Sequence, residues 1–135
     1  MSGSSNTPRV DMLRSPLGRA RGLGSARAGS HHWWVQRLTA VALIPLTLWF
    51  VFSVARLAGG SYEATYLWVQ YPPYAIGLVL FLATAFYHAV LGVQVVIEDY
   101  VTPEGWKMAL LVLVKFGLAL LGVASIFSVL KVALS

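Results

Sequence analysis

The sequence predicts an all-α membrane protein with three transmembrane helices and a flexible basic arm at its N-terminus. Three observations carry that prediction. Hydrophobic residues make up 58% of the 135-residue chain and charged residues 11%, against roughly 45–50% and about 25% in soluble domains. Three long apolar runs, Trp34 to Val54, Tyr74 to Ile97 and Met108 to Val132, contain only Arg37, His88, Lys115 and Lys131 as basic or acidic residues. Each run reaches or exceeds the roughly 20 residues that cross a hydrocarbon core.

Residues 1–30 differ in kind. Gly, Ser, Ala and Arg dominate, and Arg9, Arg14, Arg19, Arg21 and Arg27 face the single acid Asp11. Such a composition cannot bury a core. A nucleic-acid tail, a transit peptide and the cytoplasmic flank of a membrane helix all share this bias. The positive-inside rule gives the simplest account, with the arginines holding the N-terminus in the cytoplasm. The net charge of +5 then reflects membrane orientation, and no nucleic-acid partner is expected.

Residues 31–135 follow as a three-helix membrane domain, with spans at about 34–57, 73–98 and 107–132. Span one runs outward to Arg56, and residues 58–71 form an outer loop. Pro72 and Pro73 start span two, where proline costs little in a first turn. Span two returns inward to Glu98, Asp99 and Tyr100, and a short loop leads to Trp106 and span three. The C-terminus is then periplasmic. Trp33, Trp34, Trp68 and Trp106 fall near span ends, as belt aromatics do. Trp49 lies inside span one and is expected to pack on lipid or another helix.

The chain lacks cysteine, which excludes disulfides, iron–sulfur clusters and c-type haem attachment. It also lacks a nucleophile triad, a catalytic acid/base pair and a phosphate loop followed by a helix, so a self-contained hydrolase or nucleotide enzyme is not expected. His88 stands alone in the middle of span two. Gly77, Phe81, Thr84, Ala85, Gly92, Val95 and Asp99 share its helical face. Small residues there allow either close helix packing or a flat macrocycle against the imidazole. Intramembrane ionisable residues are costly and carry a functional presumption, but a packing histidine remains open on the residues alone. A b-type haem used for electron transfer takes an axial ligand from each side. The second ligand would therefore come from another chain or a second copy. His31 and His32, about 16 Å of helix rise or more from the level of His88, suit haem propionates better than iron. Tyr100 reads as a belt aromatic and Asp99 as a helix-end charge when taken without further context.

His88-x-x-x-Gly92 followed by Asp99-Tyr100 on the second span resembles the signature of the succinate dehydrogenase hydrophobic membrane anchor subunit, the D subunit of respiratory complex II. The stretches Ser15-Pro16-Leu17-Gly18-Arg19 and His31-His32-Trp33-Trp34-Val35-Gln36-Arg37-Leu38-Thr39-Ala40 are similar to its alphaproteobacterial form, and the likeness runs from about Arg14 to the C-terminus. The resemblance implies that His88 is an axial ligand of haem b, shared with a cytochrome b556-type C subunit. It implies that Tyr100 and Asp99 belong to a ubiquinone-reduction site, and that His31 and Arg37 approach the haem propionates. The implied partners are that C subunit, an iron–sulfur B subunit, a flavoprotein A subunit and membrane lipid, in the bacterial inner membrane. The implied function is the anchor of a succinate:quinone oxidoreductase. The alternatives are the anchor of a related quinol:fumarate reductase and a non-redox small membrane transporter or assembly protein.

The orientation is open to direct test. Topology reporters fused at Ser135 should respond as periplasmic, because the arm's arginines outweigh every other flank. A cytoplasmic response would mean an even number of spans and would move Tyr100 away from the inner face.

Overall fold

A computed structural model describes residues 25–135, with side chains from residue 29 onward. Four helices follow in order: α1 (Ser25–Leu57), α2 (Tyr62–Gln70), α3 (Pro72–Tyr100) and α4 (Glu104–Ala133). No strand occurs among the described residues. The basic arm expected over residues 1–30 lies outside the described residues as far as Gly24. Its last residues, from Ser25, already belong to α1. A helix nucleated in the membrane extends cheaply into Ser25-Ala26-Arg27-Ala28, which contains no strong breaker.

Three of these helices are long and apolar enough to span a bilayer. Gly29–Leu57, Pro72–Tyr100 and Glu104–Ala133 contain 29, 29 and 30 residues with mean hydropathy of 2.1, 2.1 and 2.4. At 1.5 Å per residue, each exceeds the roughly 30 Å hydrocarbon thickness, so the helix ends reach the headgroup layers.

The connection expected as a plain loop over residues 58–71 contains α2. Ser61 caps this helix by accepting from the Ala64 amide at 3.2 Å, and Glu63 sits in its first turn. Both features favour a helix N-terminus. Gly59, with φ +81°, makes the preceding turn. α2 stops at Gln70 because Tyr71 precedes proline and takes an extended conformation, φ −68° and ψ 118°. Pro72 then opens α3.

The described residues divide into two compact units, one ending at Trp34 and the other running from Val35 to Ser135. In the first, the Trp33 and Trp34 rings meet edge to face with centroids 5.1 Å apart. In the second, α3 and α4 make the closest backbone pairing. Gly122 on α4 is buried against Phe86 of α3, and a Cβ there would stand 3.2 Å from the phenylalanine Cγ. α1 meets α3 through larger groups. Phe50 stacks on Phe81 at 4.6 Å, and Trp49 lies over Gly77. α2 completes this end of the unit, with Trp68 stacked on Trp49 at 5.8 Å and on Tyr74 at 5.0 Å. The Tyr66 hydroxyl also meets that of Ser135. Trp49 therefore packs on neighbouring helices.

Few side chains are enclosed. Among the described residues, Ala75, Leu78, Leu91 and Ile97 are the buried hydrophobic ones, whereas Leu113 and Phe116 on α4 are 69% and 73% exposed. In water such a surface would aggregate. In a bilayer it is a lipid-facing exterior.

Gly77 supplies a test of the α1–α3 packing. A Cβ at this position would lie 2.7 Å from Trp49 Cη2, and Trp68 and Tyr74 restrict the indole's retreat. Gly77→Ala should destabilise the protein in detergent by about 1–3 kcal/mol, the usual range for overpacking. Adding Trp49→Leu should recover part of that loss in a thermal-unfolding double-mutant cycle. Strict additivity would show that the two residues do not press on each other.

Candidate functional site

The site is built where α1 and α3 run antiparallel. Gly77, Phe81 and His88 on α3 meet Trp49, Phe50 and Thr39 on α1, so one face of α3 follows α1 over roughly three turns. That face is the small-residue face that the sequence assigns to His88. The imidazole is half-buried. Its Nδ1 lies 2.9 Å from Thr39 Oγ1, and its Nε2 has no hydrogen-bond partner among the described residues.

Thr39 is positioned by its own helix. Its Oγ1 lies 2.9 Å from the Val35 carbonyl oxygen and 3.0 Å from that of Gln36. This back-bonding is the usual way a threonine satisfies its hydroxyl in an apolar helix. Below His88, toward the α3–α4 turn, a Cβ added at Gly92 would meet nothing within 4 Å. The glycines flanking His88 therefore differ in use. Gly77 accommodates an indole and Gly92 leaves open space.

No group of three or more metal-ligating side chains occurs among the described residues. A single imidazole suits a metal that brings most of its ligands with it, as haem iron does within its macrocycle. The residues present fit such a group. One ring nitrogen is anchored, the other is available, and the neighbouring turn leaves space for a planar ligand.

Asp99 and Tyr100 end α3 at the opposite pole from α2. Asp99 is eleven residues beyond His88, about three turns, and shares its face; Tyr100 lies about a third of a turn round from that face. The Tyr100 side chain is 82% exposed. Neither residue has a side-chain hydrogen-bond partner among the described residues. Nearby, Gln94 donates to Glu98 at 2.8 Å, and Lys107 pairs with Glu104 at 3.5 Å. This end of the unit is polar and open.

Arg37 is exposed on α1. Two residues from Thr39 along a helix, it projects about 200° around the axis from the side that meets His88. His31 and His32 belong to the first unit, where His31 is exposed and His32 Nε2 is buried without a hydrogen-bond partner. A cavity of about 460 Å³ lies near α2, walled by Trp49, Ser53, Arg56, Trp68 and Tyr74 among others. Tyr74 precedes His88 by fourteen residues, about 21 Å of rise, so this cavity is separate from the imidazole.

Thr39 was not evident as a site residue from the sequence. Its polarity within an apolar run was visible, but its partner depends on the helix pairing, which one segment read alone does not specify.

The chain is similar to known proteins over most of its length. Residues 12–129 match the family model described as the succinate dehydrogenase/fumarate reductase transmembrane subunit. A succinate dehydrogenase hydrophobic membrane anchor subunit from Rickettsia bellii is 35% identical over 117 residues, 87% of this chain and 94% of the relative. The subunit of that name from Paracoccus denitrificans is 36% identical over 110 residues, 82% and 85% of the two chains. A succinate dehydrogenase membrane anchor subunit from Reclinomonas americana is 29% identical over 92 residues, covering 66% and 77%. No solved structure gives a significant match.

Proposed function

The chain belongs to the succinate dehydrogenase/fumarate reductase transmembrane subunit family as a succinate dehydrogenase membrane anchor of the inner membrane, and we propose that it supplies half of a haem b site and part of a ubiquinone-reduction site. The observation that carries this reading is His88. It is anchored through Nδ1 to Thr39, leaves Nε2 without a partner, and lies beside the open space at Gly92.

On this reading His88 would hold the iron through Nε2, and a cytochrome b556-type C subunit would supply a further ligand. His31 serves the propionates, whose carboxylates call for cationic or hydrogen-bonding groups at a membrane edge; Arg37, which leaves α1 on the side away from His88, would serve them only by bending its long side chain round the helix. Haem b, when bound, supplies a one-electron redox centre within the membrane. The chain's own task is to hold it by one face, exclude water from that face and present the quinone groups at the end of α3.

Reduction of ubiquinone to the quinol requires two electrons and two protons. Tyr100 donates its phenolic O–H to a quinone carbonyl oxygen, where negative charge develops as electrons arrive. Asp99, beside it at the wetted end of the helix, helps set the field around that oxygen. The exposed, unengaged phenol supports this role, because its donor is not spent on a contact within the chain. Succinate oxidation requires a flavin and an iron–sulfur relay, which this cysteine-free chain leaves to the A and B subunits that it tethers. The names of the curated relatives favour succinate dehydrogenase over a fumarate reductase anchor, and family membership sets aside the non-redox transporter.

Replacing His88 with Leu in the assembled complex should abolish the reduced-minus-oxidised b-type absorbance band; an unchanged band with full haem content would remove His88 from the iron.

Tyr100→Phe keeps the ring and loses one donor. It should raise the barrier to quinone reduction by about 2–4 kcal/mol, by analogy with oxyanion donors. Succinate oxidation measured with a dye that accepts electrons from the soluble subunits should remain near normal. Retention of both quinone reductase activity and quinone-site inhibitor binding would place the site on the partner subunits.

A further inference from the structure

The three contacts of the Thr39 hydroxyl determine how its proton is used. Val35 O and Gln36 O, at 2.9 and 3.0 Å, are carbonyl oxygens and can only accept. The hydroxyl has one proton and two acceptor lone pairs. The geometry lets its proton go, singly or shared, to those carbonyls; with the proton there, the third neighbour, His88 Nδ1 at 2.9 Å, completes its hydrogen bond by donating its own proton to Oγ1. A neutral imidazole protonated at Nδ1 has its lone pair at Nε2. Thus α1's backbone, acting through one hydroxyl, selects the form of His88 that can bind a metal through Nε2.

We infer that Thr39 is a positioning residue for the haem site. It fixes the His88 tautomer and ring angle and, by accepting from Nδ1–H, increases the basicity of Nε2. This inference rests on the reading that His88 ligates the iron. The physical case for Thr39 is geometric: its hydroxyl lies 2.9 Å from His88 Nδ1, and an acceptor on a second helix fixes the ring relative to both α1 and α3. A more basic axial nitrogen stabilises ferric over ferrous iron, so the hydrogen bond should hold the midpoint potential down.

The test uses the assembled, membrane-extracted complex with Thr39→Val, Thr39→Ala and Thr39→Ser, together with His88→Leu. Valine preserves the shape and removes the acceptor, alanine removes both methyl and hydroxyl without adding bulk, and serine retains the hydroxyl. Val and Ala should raise the haem midpoint potential, shift the g-values of the low-spin ferric signal and weaken haem retention about tenfold or more, the usual cost of losing an outer hydrogen bond to a metal ligand. Ser should remain close to the parent in all three measurements. If Val prevents assembly, Ala and Ser carry the comparison.

Loss of the b-type signal in His88→Leu, combined with parental potential, g-values and haem content in Thr39→Ala, would overturn the role of Thr39 and leave the ligand assignment standing. An unchanged b-type signal in His88→Leu would overturn the ligand assignment itself. Equal changes in Ala and Ser would show that the methyl group matters through packing, and would also overturn the proposed hydrogen-bond role.

Discussion

Between helices in hydrocarbon there is little hydrophobic effect to exploit, because lipid tails are as apolar as leucine. Close contact and satisfied polar groups have to hold the helices together instead. The second unit relies on both. α4 reaches α3 where Gly122 admits Phe86, and α1 reaches α3 through Trp49 on Gly77, Phe50 on Phe81, and the Thr39–His88 hydrogen bond. The imidazole is thus a packing element as well as a candidate ligand. The packing and ligand readings of His88 concern different ring nitrogens: Nδ1 serves the helix pair, and the proposed ligand role falls to Nε2.

This division explains why the α1–α3 seam combines snug and open sections. At the α2 end it is filled by large rings, with Trp49, Trp68 and Tyr74 gathered around Gly77. Beside Gly92 it is open. An aromatic anchor at one end fixes the helix pair so that space elsewhere need not be filled by side chains from this chain. The exposed apolar surface of α4 presents the same economy toward lipid and neighbouring subunits.

Much of this architecture was legible in the sequence because hydrocarbon is a demanding solvent. Long apolar runs have few other uses, and the isolation of His88 and its small-residue face were apparent from helical periodicity. The helix from Tyr62 to Gln70 was less visible, because nine residues give too short a pattern to separate from a loop. Ser61 before Glu63 was the available signal. The Thr39 contact could not be read from either helix alone, since it depends on which faces meet. Asp99 and Tyr100 were visible as a pair, but their chemistry depends on groups beyond the chain, and exposure at the end of α3 leaves that chemistry to be tested.

The two poles of residues 35–135 are unequal toward protons. One is closed over by a short helix and stacked rings, whereas the other presents Glu98, Asp99, Tyr100 and Glu104 in exposed positions. On the proposed reading, and with the tethered subunits docked at that polar pole, a quinone beside Tyr100 draws its two protons from the same aqueous compartment as its electrons. Equal positive and negative charge then enters from one side, and turnover moves no net charge across the bilayer. Such a reaction would be insensitive to membrane voltage, and its drive would come from the redox span between succinate and quinone alone.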